Sequence, residues 1–182
     1  MSKGCGILMK YLVGALLMGL LAACAPMKLA DFKKSEPTFD LFEYFDGTTK
    51  AYGLFEDRFG KIKRQFTVTI EGKVSGDTLT LDEDFVYDDG ELQNRVWTIT
   101  RLGDGSYEGV AADIIGKAQR GGIRQALNWS YDLALTIGGR EIEMHFDDWM
   151  FRQSDDVVLN RATVSKFGIT LGSVTLAFVR QK

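Results

Sequence analysis

The amino-acid sequence predicts an all-β fold, and three observations lead to that prediction. Both prolines, Pro26 and Pro37, stand near the start of the chain, and none follows. Beyond Thr38 the chain is a succession of short segments with alternating apolar and polar residues, separated by glycine or Asp-Gly pairs. This pattern is typical of strands joined by tight turns, and no long stretch shows a convincing helical period.

The chain begins with the layout of a bacterial secretory signal. Lys3 and Lys10 accompany a charge-free apolar run from Tyr11 to Ala23, which is shorter than the ~20 apolar residues that cross a bilayer. The run leads into Leu-Ala-Ala-Cys at 21–24, which resembles the lipobox of bacterial lipoproteins. We expect residues 1–23 to be removed as a signal peptide and Cys24 to be lipidated. An ordinary signal peptide or an uncleaved anchor is the alternative.

Lipidation at Cys24 would fix the location of the protein. The next residue is Ala25 rather than Asp, which favours the periplasmic face of the outer membrane. The expected partner is therefore the membrane, held through the N-terminal lipid. Cys5 leaves with the signal peptide and Cys24 is consumed, so the mature chain has no thiol and depends on its core. A chain of this length supplies a core for one domain, which we expect to be monomeric.

We predict that residues 24–38 form a lipidated tether, because they are polar and contain both prolines. Met27 to Lys34 could form a short helix within it. Residues 39–182 form the predicted domain, and the clearest strand alternates Trp129, Tyr131 and Leu133 with polar residues. The predicted β segments, in order, are Phe39–Asp46, Ala51–Gly60, Lys63–Gly72, Asp77–Tyr87, Glu91–Leu102, Ser106–Ile115, Asn128–Ile137, Arg140–Gln153, Val157–Gly168 and Ile169–Val179.

The connections between these segments are short, which makes neighbouring strands antiparallel. A meander of about nine or ten strands would expose two edges, and closure into a barrel removes them. We therefore predict an up-and-down, lipocalin-like barrel. A two-sheet sandwich is an alternative. A transmembrane barrel is another, but the strands lack a consistent lipid-facing apolar band.

Composition and motifs exclude several functions. The formal net charge is -3 and no basic run follows a phosphate backbone, so we expect no nucleic-acid partner. Neither a nucleophile elbow nor a nucleotide-binding glycine motif occurs. We expect no catalytic residues and no cofactor, which favours a protein that is not an enzyme.

Two patterns of acidic residues give only weak evidence for a metal site or a catalytic site. His145 has Glu143 and Asp147 on its strand face, but without Cys or a second His a metal site is poorly supported, and we expect none. Paired acids, as a glycosidase would need, occur only as adjacent residues, which point to opposite faces of a strand or lie at turns. These pairs are Asp88-Asp89, Asp147-Asp148 and Asp155-Asp156.

Charged residues inside aromatic segments are the better candidates. If such residues point into a barrel they must be paired, because an unpaired buried charge is costly. A charged network could hold a ligand's polar end while aromatic residues line an apolar wall. The alternative is a structural set of salt bridges that closes one barrel end. The candidate ligand-binding residues are Arg58, Arg95, Trp97, Trp129, Tyr131, Asp148, Trp149 and Lys166.

Five stretches resemble a family of Gram-negative bacterial lipoproteins, the domain-of-unknown-function family 3833. They are Tyr52–Gly60, Phe85–Glu91, Arg95–Trp97, Asp147–Met150 and Ser165–Gly168. The resemblance implies a fold of the lipocalin-like (calycin) superfamily and a connection to lipid, because members are often encoded beside lipid-modifying enzymes. It implies no catalytic residues, and residues 118–126 depart from the family pattern.

The leading hypothesis is an envelope lipoprotein that binds or shuttles a hydrophobic ligand such as a fatty acid or a phospholipid. A scaffold or accessory protein for an envelope partner is the first alternative. A lipid-acting enzyme is the second, and it would require an acid or arginine pair that faces a cavity. An internal volume of ~300 Å³ or more favours a ligand carrier, whereas a filled core favours the scaffold.

Overall fold

A computed structural model describes residues 26–137 and 139–182. The predicted signal peptide and Cys24 lie outside the described residues. Ten strands follow one another as an antiparallel meander, and β1 also pairs with β10, which closes the barrel. The strands are β1 (Gly47–Asp57), β2 (Ile62–Ser75), β3 (Thr78–Tyr87), β4 (Leu92–Arg101), β5 (Ser106–Val110), β6 (Ile114–Ile123), β7 (Ala126–Ile137), β8 (Arg140–Arg152), β9 (Val157–Lys166) and β10 (Ile169–Arg180).

The alternation in the sequence sets which side chains face the interior. On β2, Val68 and Ile70 are buried while Thr67 and Thr69 are exposed. Such alternation places every second side chain on the inner face of the barrel. The predicted all-β closed barrel is therefore confirmed. Over the described ranges, no helix is long and apolar enough to cross a membrane.

One predicted strand is wrong. Phe39–Asp46 contains a short helix, α1 (Leu41–Phe45), instead. The Asp40 carboxylate caps it by accepting hydrogen bonds from the backbone N–H groups of Phe42 and Glu43, at 2.8 and 3.1 Å. Four of the five α1 residues are buried, so burial over one turn of helix outweighs the local β propensity of these aromatic residues.

Helix α1 covers one end of the barrel, called here the closed end. Tyr44 is fully buried, and its hydroxyl lies 3.0 Å from the carbonyl oxygens of Asp156 and Phe178. The end of α1 packs tightly against β2, because a Cβ added to Gly72 would lie 1.6 Å from the carbonyl oxygen of Phe45. A glycine is required there for the helix to approach the sheet.

A second difference concerns residues 106–123. The predicted strand Ser106–Ile115 divides into β5 and β6, joined by residues 111–113. The sequence did not predict β6 beyond Ile115 because it contains Gly116, Gly121 and Gly122, and glycine is depleted in strands. Gly116 has a φ of +74°, and the register between β6 and β7 shifts close to it. This marks a bulge.

The segment before the barrel lies partly against its outer wall. Leu29–Phe32 forms a single 3-10 turn, within the range that was predicted to allow a short helix. The ring of Phe32 lies 6.0 Å from Trp149 and 5.3 Å from Phe151, measured between ring centroids. Part of the predicted tether is therefore docked onto β8.

The opposite end of the barrel, called here the open end, has no helix over it among the described residues. It is formed by the β1–β2 turn (residues 58–61), the β3–β4 turn (residues 88–91), the connection 111–113 and the β9–β10 turn (Phe167 and Gly168). Because the strands alternate in direction, each of these turns projects to the same side.

Candidate functional site

A cavity of about 370 Å³ occupies the barrel interior. At the closed end it is bounded by Leu41 and Phe45 of α1, and towards the open end it reaches Arg64, Tyr87 and Gln93. Most of its wall is aliphatic or aromatic, and a small number of polar side chains interrupt that wall. This combination is the usual composition of a small-molecule site.

The first polar group of the wall centres on Arg95. Its Nε and Nη2 donate to the two oxygens of Asp113 at distances of 2.8 to 3.1 Å. Glu83 on β3 is the cross-strand partner of Arg95 on β4, so both side chains face the interior. Arg95 therefore forms an ion pair with Asp113 at the 111–113 connection and interacts electrostatically with Glu83 in the cavity wall.

The second polar group centres on Asp148, which is 4% exposed. Asn160 on β9 donates from Nδ2 to Asp148 Oδ1 at 2.9 Å, and the hydroxyl of Tyr131 on β7 supplies another hydrogen bond. Asn160 Oδ1 is buried and has no hydrogen-bond partner among the described residues. Asn160 lines the cavity, so this unpaired acceptor belongs to the polar part of the cavity wall.

The electrostatics of the interior follow mainly from burial, because desolvation is the largest influence on both of its carboxyl groups. Burial raises the pKa of Glu83 to about 7, although Arg95 opposes the shift. Burial also raises the pKa of Asp148 to about 6, although Asn160 and Tyr131 oppose it. Glu83 keeps some accessible area because it faces the cavity. Both carboxyl groups therefore change protonation state close to neutral pH.

Tyr131 is held neutral by the same environment. Burial raises its pKa well above the ordinary tyrosine value, and the nearby Asp148 carboxylate raises it further. A neutral phenol keeps its proton and donates a hydrogen bond to the Asp148 carboxylate. The ring of Tyr131 stacks on Phe146 at 5.4 Å and meets Trp97 edge-on at 5.5 Å, so its position is fixed by packing.

The aromatic wall depends on a glycine. Trp97 and Trp129 lie 6.1 Å apart, and a Cβ added to Gly109 would lie 2.6 Å from the ring of Trp129. Gly109 on β5 therefore makes room for the indole inside the barrel.

Arg64 marks the mouth of the cavity at the open end. Its guanidinium carbon lies 3.5 Å from the centroid of the Tyr87 ring, and it forms ion pairs with Asp89 and Glu91 of the β3–β4 turn. The side chain lines the cavity and is also 30% exposed. The cavity thus reaches solvent beside Arg64.

The structure brings five of the eight predicted candidates to the cavity and places three elsewhere. Those that line it are Arg95, Trp97, Trp129, Tyr131 and Asp148. Trp149 lies on the outer wall against Phe32. Arg58 and Lys166 lie at the open end, beside Phe59 and Phe167 respectively.

Glu83 and Asn160 are among the cavity residues that sequence reasoning missed. Each occupies an inward position of its strand, Glu83 between Leu81 and Phe85 and Asn160 between Val158 and Ala162. A polar residue in the apolar half of an alternating strand was the signal that could have identified both.

His145 is engaged outside the cavity. Its Nδ1 lies 2.7 Å from Asp132 Oδ1 and its Nε2 lies 3.3 Å from Ser130 Oγ. Its predicted neighbours Glu143 and Asp147 are not its partners in these contacts. Over the described ranges, no cluster of three or more His, Cys, Asp or Glu side chains is placed to hold a metal ion.

Comparison with known proteins extends the description. Residues 18–180 match the family model described as "Protein of unknown function (DUF3833)". The chain belongs to this family. A search of curated proteins finds no match to this DUF3833 member. Among solved structures it is similar to the S-type phycobiliprotein lyase CPES from Guillardia theta, with a TM-score of 0.55 and 9% identity. The match covers 86% of this chain and 99% of the lyase chain, which shows a shared lipocalin-like barrel.

Proposed function

We propose that this protein is a membrane-anchored envelope lipoprotein whose barrel binds or shuttles a hydrophobic ligand with one acyl chain, such as a fatty acid. The observation that carries the proposal is the interior cavity, with an apolar wall and a buried polar cluster of Glu83, Arg95, Asp148 and Asn160. Ligand sites are typically concave, mostly apolar and marked by few polar groups. The Cys24 anchor supports the envelope location and stays a prediction.

The size of the cavity supports a single chain. Its volume of about 370 Å³ exceeds the ~300 Å³ at which ligand pockets begin and lies far below the ~1,000 Å³ at which they end. A fatty acid suits this space better than a phospholipid with two chains. A hollow interior also favours a carrier over a scaffold that acts only through its outer face.

The polar cluster favours a ligand that binds as a neutral acid. A carboxylate beside Glu83 and Asp148 would add a third negative charge to a site with one nearby arginine, whereas a protonated carboxyl avoids this repulsion. Its carbonyl oxygen can accept a hydrogen bond from Arg95, which lines the cavity. A ligand carboxyl that is ionised in solution and neutral when bound takes up a proton on binding, so affinity rises as pH falls towards the ordinary pKa of that carboxyl.

A cavity-filling variant tests the proposal. Ala162 on β9 lines the cavity and its neighbour Thr163 faces outward. We expect Ala162→Phe to weaken binding of a fluorescent C16 fatty acid at least about tenfold, because the new ring occupies the ligand space. Thr163→Phe on the outer face is the matched control and should bind as wild type does.

The measurement is a fluorescence titration at pH 8 and pH 6, with the melting temperature of each variant recorded. Tighter binding at pH 6 by the wild type supports the neutral-acid proposal. Equal probe binding by a folded Ala162→Phe variant would place the ligand outside the barrel and overturn the proposal.

A second candidate function is a lipid-acting enzyme. It was expected to need an acid or arginine pair facing a cavity, and Glu83 with Arg95 meets that description. Two carboxyl groups that titrate close to neutral pH are suited to acid–base work. Incubation with a lipid panel, followed by mass spectrometry of the extracted lipid, separates the two: a carrier returns the lipid unchanged, and an enzyme returns a product.

A further inference from the structure

The open end of the barrel carries two fully projecting aromatic residues. Phe59 in the β1–β2 turn is 80% exposed and Phe167 in the β9–β10 turn is 92% exposed. Because β1 pairs with β10 along their lengths, these turns are neighbours on the rim. Leu92 and Ile169 are also strongly exposed at this end. Single exposed apolar residues are ordinary, but several at one end of a barrel mark an interaction surface.

Cationic side chains accompany both phenylalanines. The guanidinium of Arg58 lies 4.8 Å from the centre of the Phe59 ring, and Lys166 Nζ lies 5.0 Å from the centre of the Phe167 ring. Lys61 is exposed in the same β1–β2 turn. Asp57, the acid closest in sequence, accepts hydrogen bonds from the turn N–H groups and pairs with Lys63.

The next turn along the open end carries acidic side chains, because β2 pairs with β3 and the β3–β4 turn therefore neighbours the β1–β2 turn. The β3–β4 turn carries Asp88, Asp89 and Glu91, of which the last two pair with Arg64. Arg58, Lys61 and Lys166 supply positive charge to the β1–β2 and β9–β10 turns, beside Phe59 and Phe167. This polarity defines which part of the end would meet a negatively charged surface.

The backbone at Phe167 has the positive φ that the two-residue β9–β10 turn requires. Its φ is +52°, a conformation in which bulky residues are uncommon and glycine, asparagine or aspartate is preferred. A phenylalanine that is 92% exposed gains little from packing there. The turn therefore holds Phe167 in a conformation that its side chain does not stabilise by burial.

We propose that Arg58, Phe59, Lys61, Lys166 and Phe167 form a membrane-docking rim that inserts its aromatic side chains at the interface of an anionic lipid bilayer. Aromatic side chains favour the headgroup level of a bilayer, and basic residues beside them bind anionic lipid. Docking in this manner turns the cavity mouth at Arg64 towards the bilayer. The proposal deepens the proposed function by giving a hydrophobic ligand a route between membrane and barrel.

The test places a reporter on the rim. The sequence has two cysteines, Cys5 and Cys24. Replacing both with serine removes the predicted lipidation site, and a single cysteine introduced elsewhere is then the only position that a thiol-reactive dye can label. Ile169→Cys, labelled with an environment-sensitive dye, reports on the rim, and Ser154→Cys at the closed end is the matched position. The full chain is mixed with vesicles of phosphatidylcholine containing phosphatidylglycerol, and with vesicles of phosphatidylcholine alone.

We expect the dye at position 169 to shift to the blue and to be shielded from an aqueous quencher on anionic vesicles, while the dye at position 154 stays exposed. Phe59→Ser with Phe167→Ser should weaken this response at least about tenfold. Arg58→Gln and Lys61→Gln should each weaken it about fivefold. Leu102→Ser, an exposed apolar residue at the closed end, is the control and should have no effect.

Three results would overturn the proposal. Equal responses at positions 169 and 154 would show that the N-terminal segment alone brings the chain to vesicles. An equal response on neutral vesicles would exclude an anionic surface, and a response that appears without vesicles and rises with protein concentration would indicate a second copy as the partner. The assay contains no fatty acid, so its failure leaves the ligand titration unaffected.

Discussion

The two ends of the barrel are built on opposite principles. At the closed end, α1 buries Leu41, Phe42, Tyr44 and Phe45, and the Tyr44 hydroxyl hydrogen-bonds to the backbone carbonyl of Phe178 on β10. At the open end, Phe59 and Phe167 project into solvent. Apolar side chains stabilise the fold at one end and contribute little to it at the other. This contrast supports the proposal that the exposed apolar side chains of the open end serve membrane docking rather than folding.

The largest expected effect is at the closed end. Tyr44→Ala removes a fully buried ring and its hydroxyl contacts, and should lower the free energy of unfolding by about 3–5 kcal/mol. Phe59→Ala at the open end should change it by less than about 0.5 kcal/mol. Urea denaturation of both variants measures the contrast. Similar losses for the two would contradict the division of roles between the ends.

A pH-dependent change in the free energy of unfolding is expected from Glu83, which lies in the cavity between the two ends. Its pKa is about 7 in the fold against an ordinary 4.5, so the folded state holds a proton that the unfolded chain has released. Stability therefore falls as pH rises from about 4.5 to about 7, by about 3 kcal/mol in total. Glu83→Gln should remove this contribution, while the separate decline caused by Asp148, whose pKa is raised to about 6, remains.

Denaturant titrations at pH 5, 6, 7 and 8 measure the slope for Glu83→Gln and the wild type. Glu141→Gln, at an exposed position of β8, is the control and should keep the wild-type slope. An unchanged slope in Glu83→Gln would mean that the carboxyl is well solvated, and the buried polar cluster would lose its main member.

The smallest expected effect is a gain at the open end. Phe167→Asn places a residue that tolerates a φ of +52° in the β9–β10 turn and should raise the free energy of unfolding by up to about 1 kcal/mol. Thermal denaturation at several scan rates measures it. A loss of stability would show that Phe167 packs in the fold, and the case for a surface role would weaken.

The sequence predicted the barrel well because its alternating strands, such as Trp129, Tyr131 and Leu133, encode the inner face directly. It did not predict the helix α1, because the contacts that bury Phe39–Asp46 come from the rest of the barrel and are not visible in the local sequence. It also missed β6, whose glycines carry no strand signal. Tertiary packing decides both cases.

Candidate site residues could be predicted where they occupy inward-facing positions of an alternating strand. Arg95 and Asp148 were found from their aromatic neighbours, and Glu83 and Asn160 could have been found from their positions in alternating strands. The grouping of Arg58 and Lys166 at one rim could not, because only barrel closure makes the β1–β2 and β9–β10 turns neighbours.

The central claim is that the barrel holds a hydrophobic ligand, and native mass spectrometry of the full chain after gentle extraction tests it most directly. We predict a bound species with the mass of a single-chain lipid, which is lost in Ala162→Phe and retained in Thr163→Phe. Wild-type protein that is empty, and that remains empty after incubation with fatty acids at pH 6, would contradict the claim.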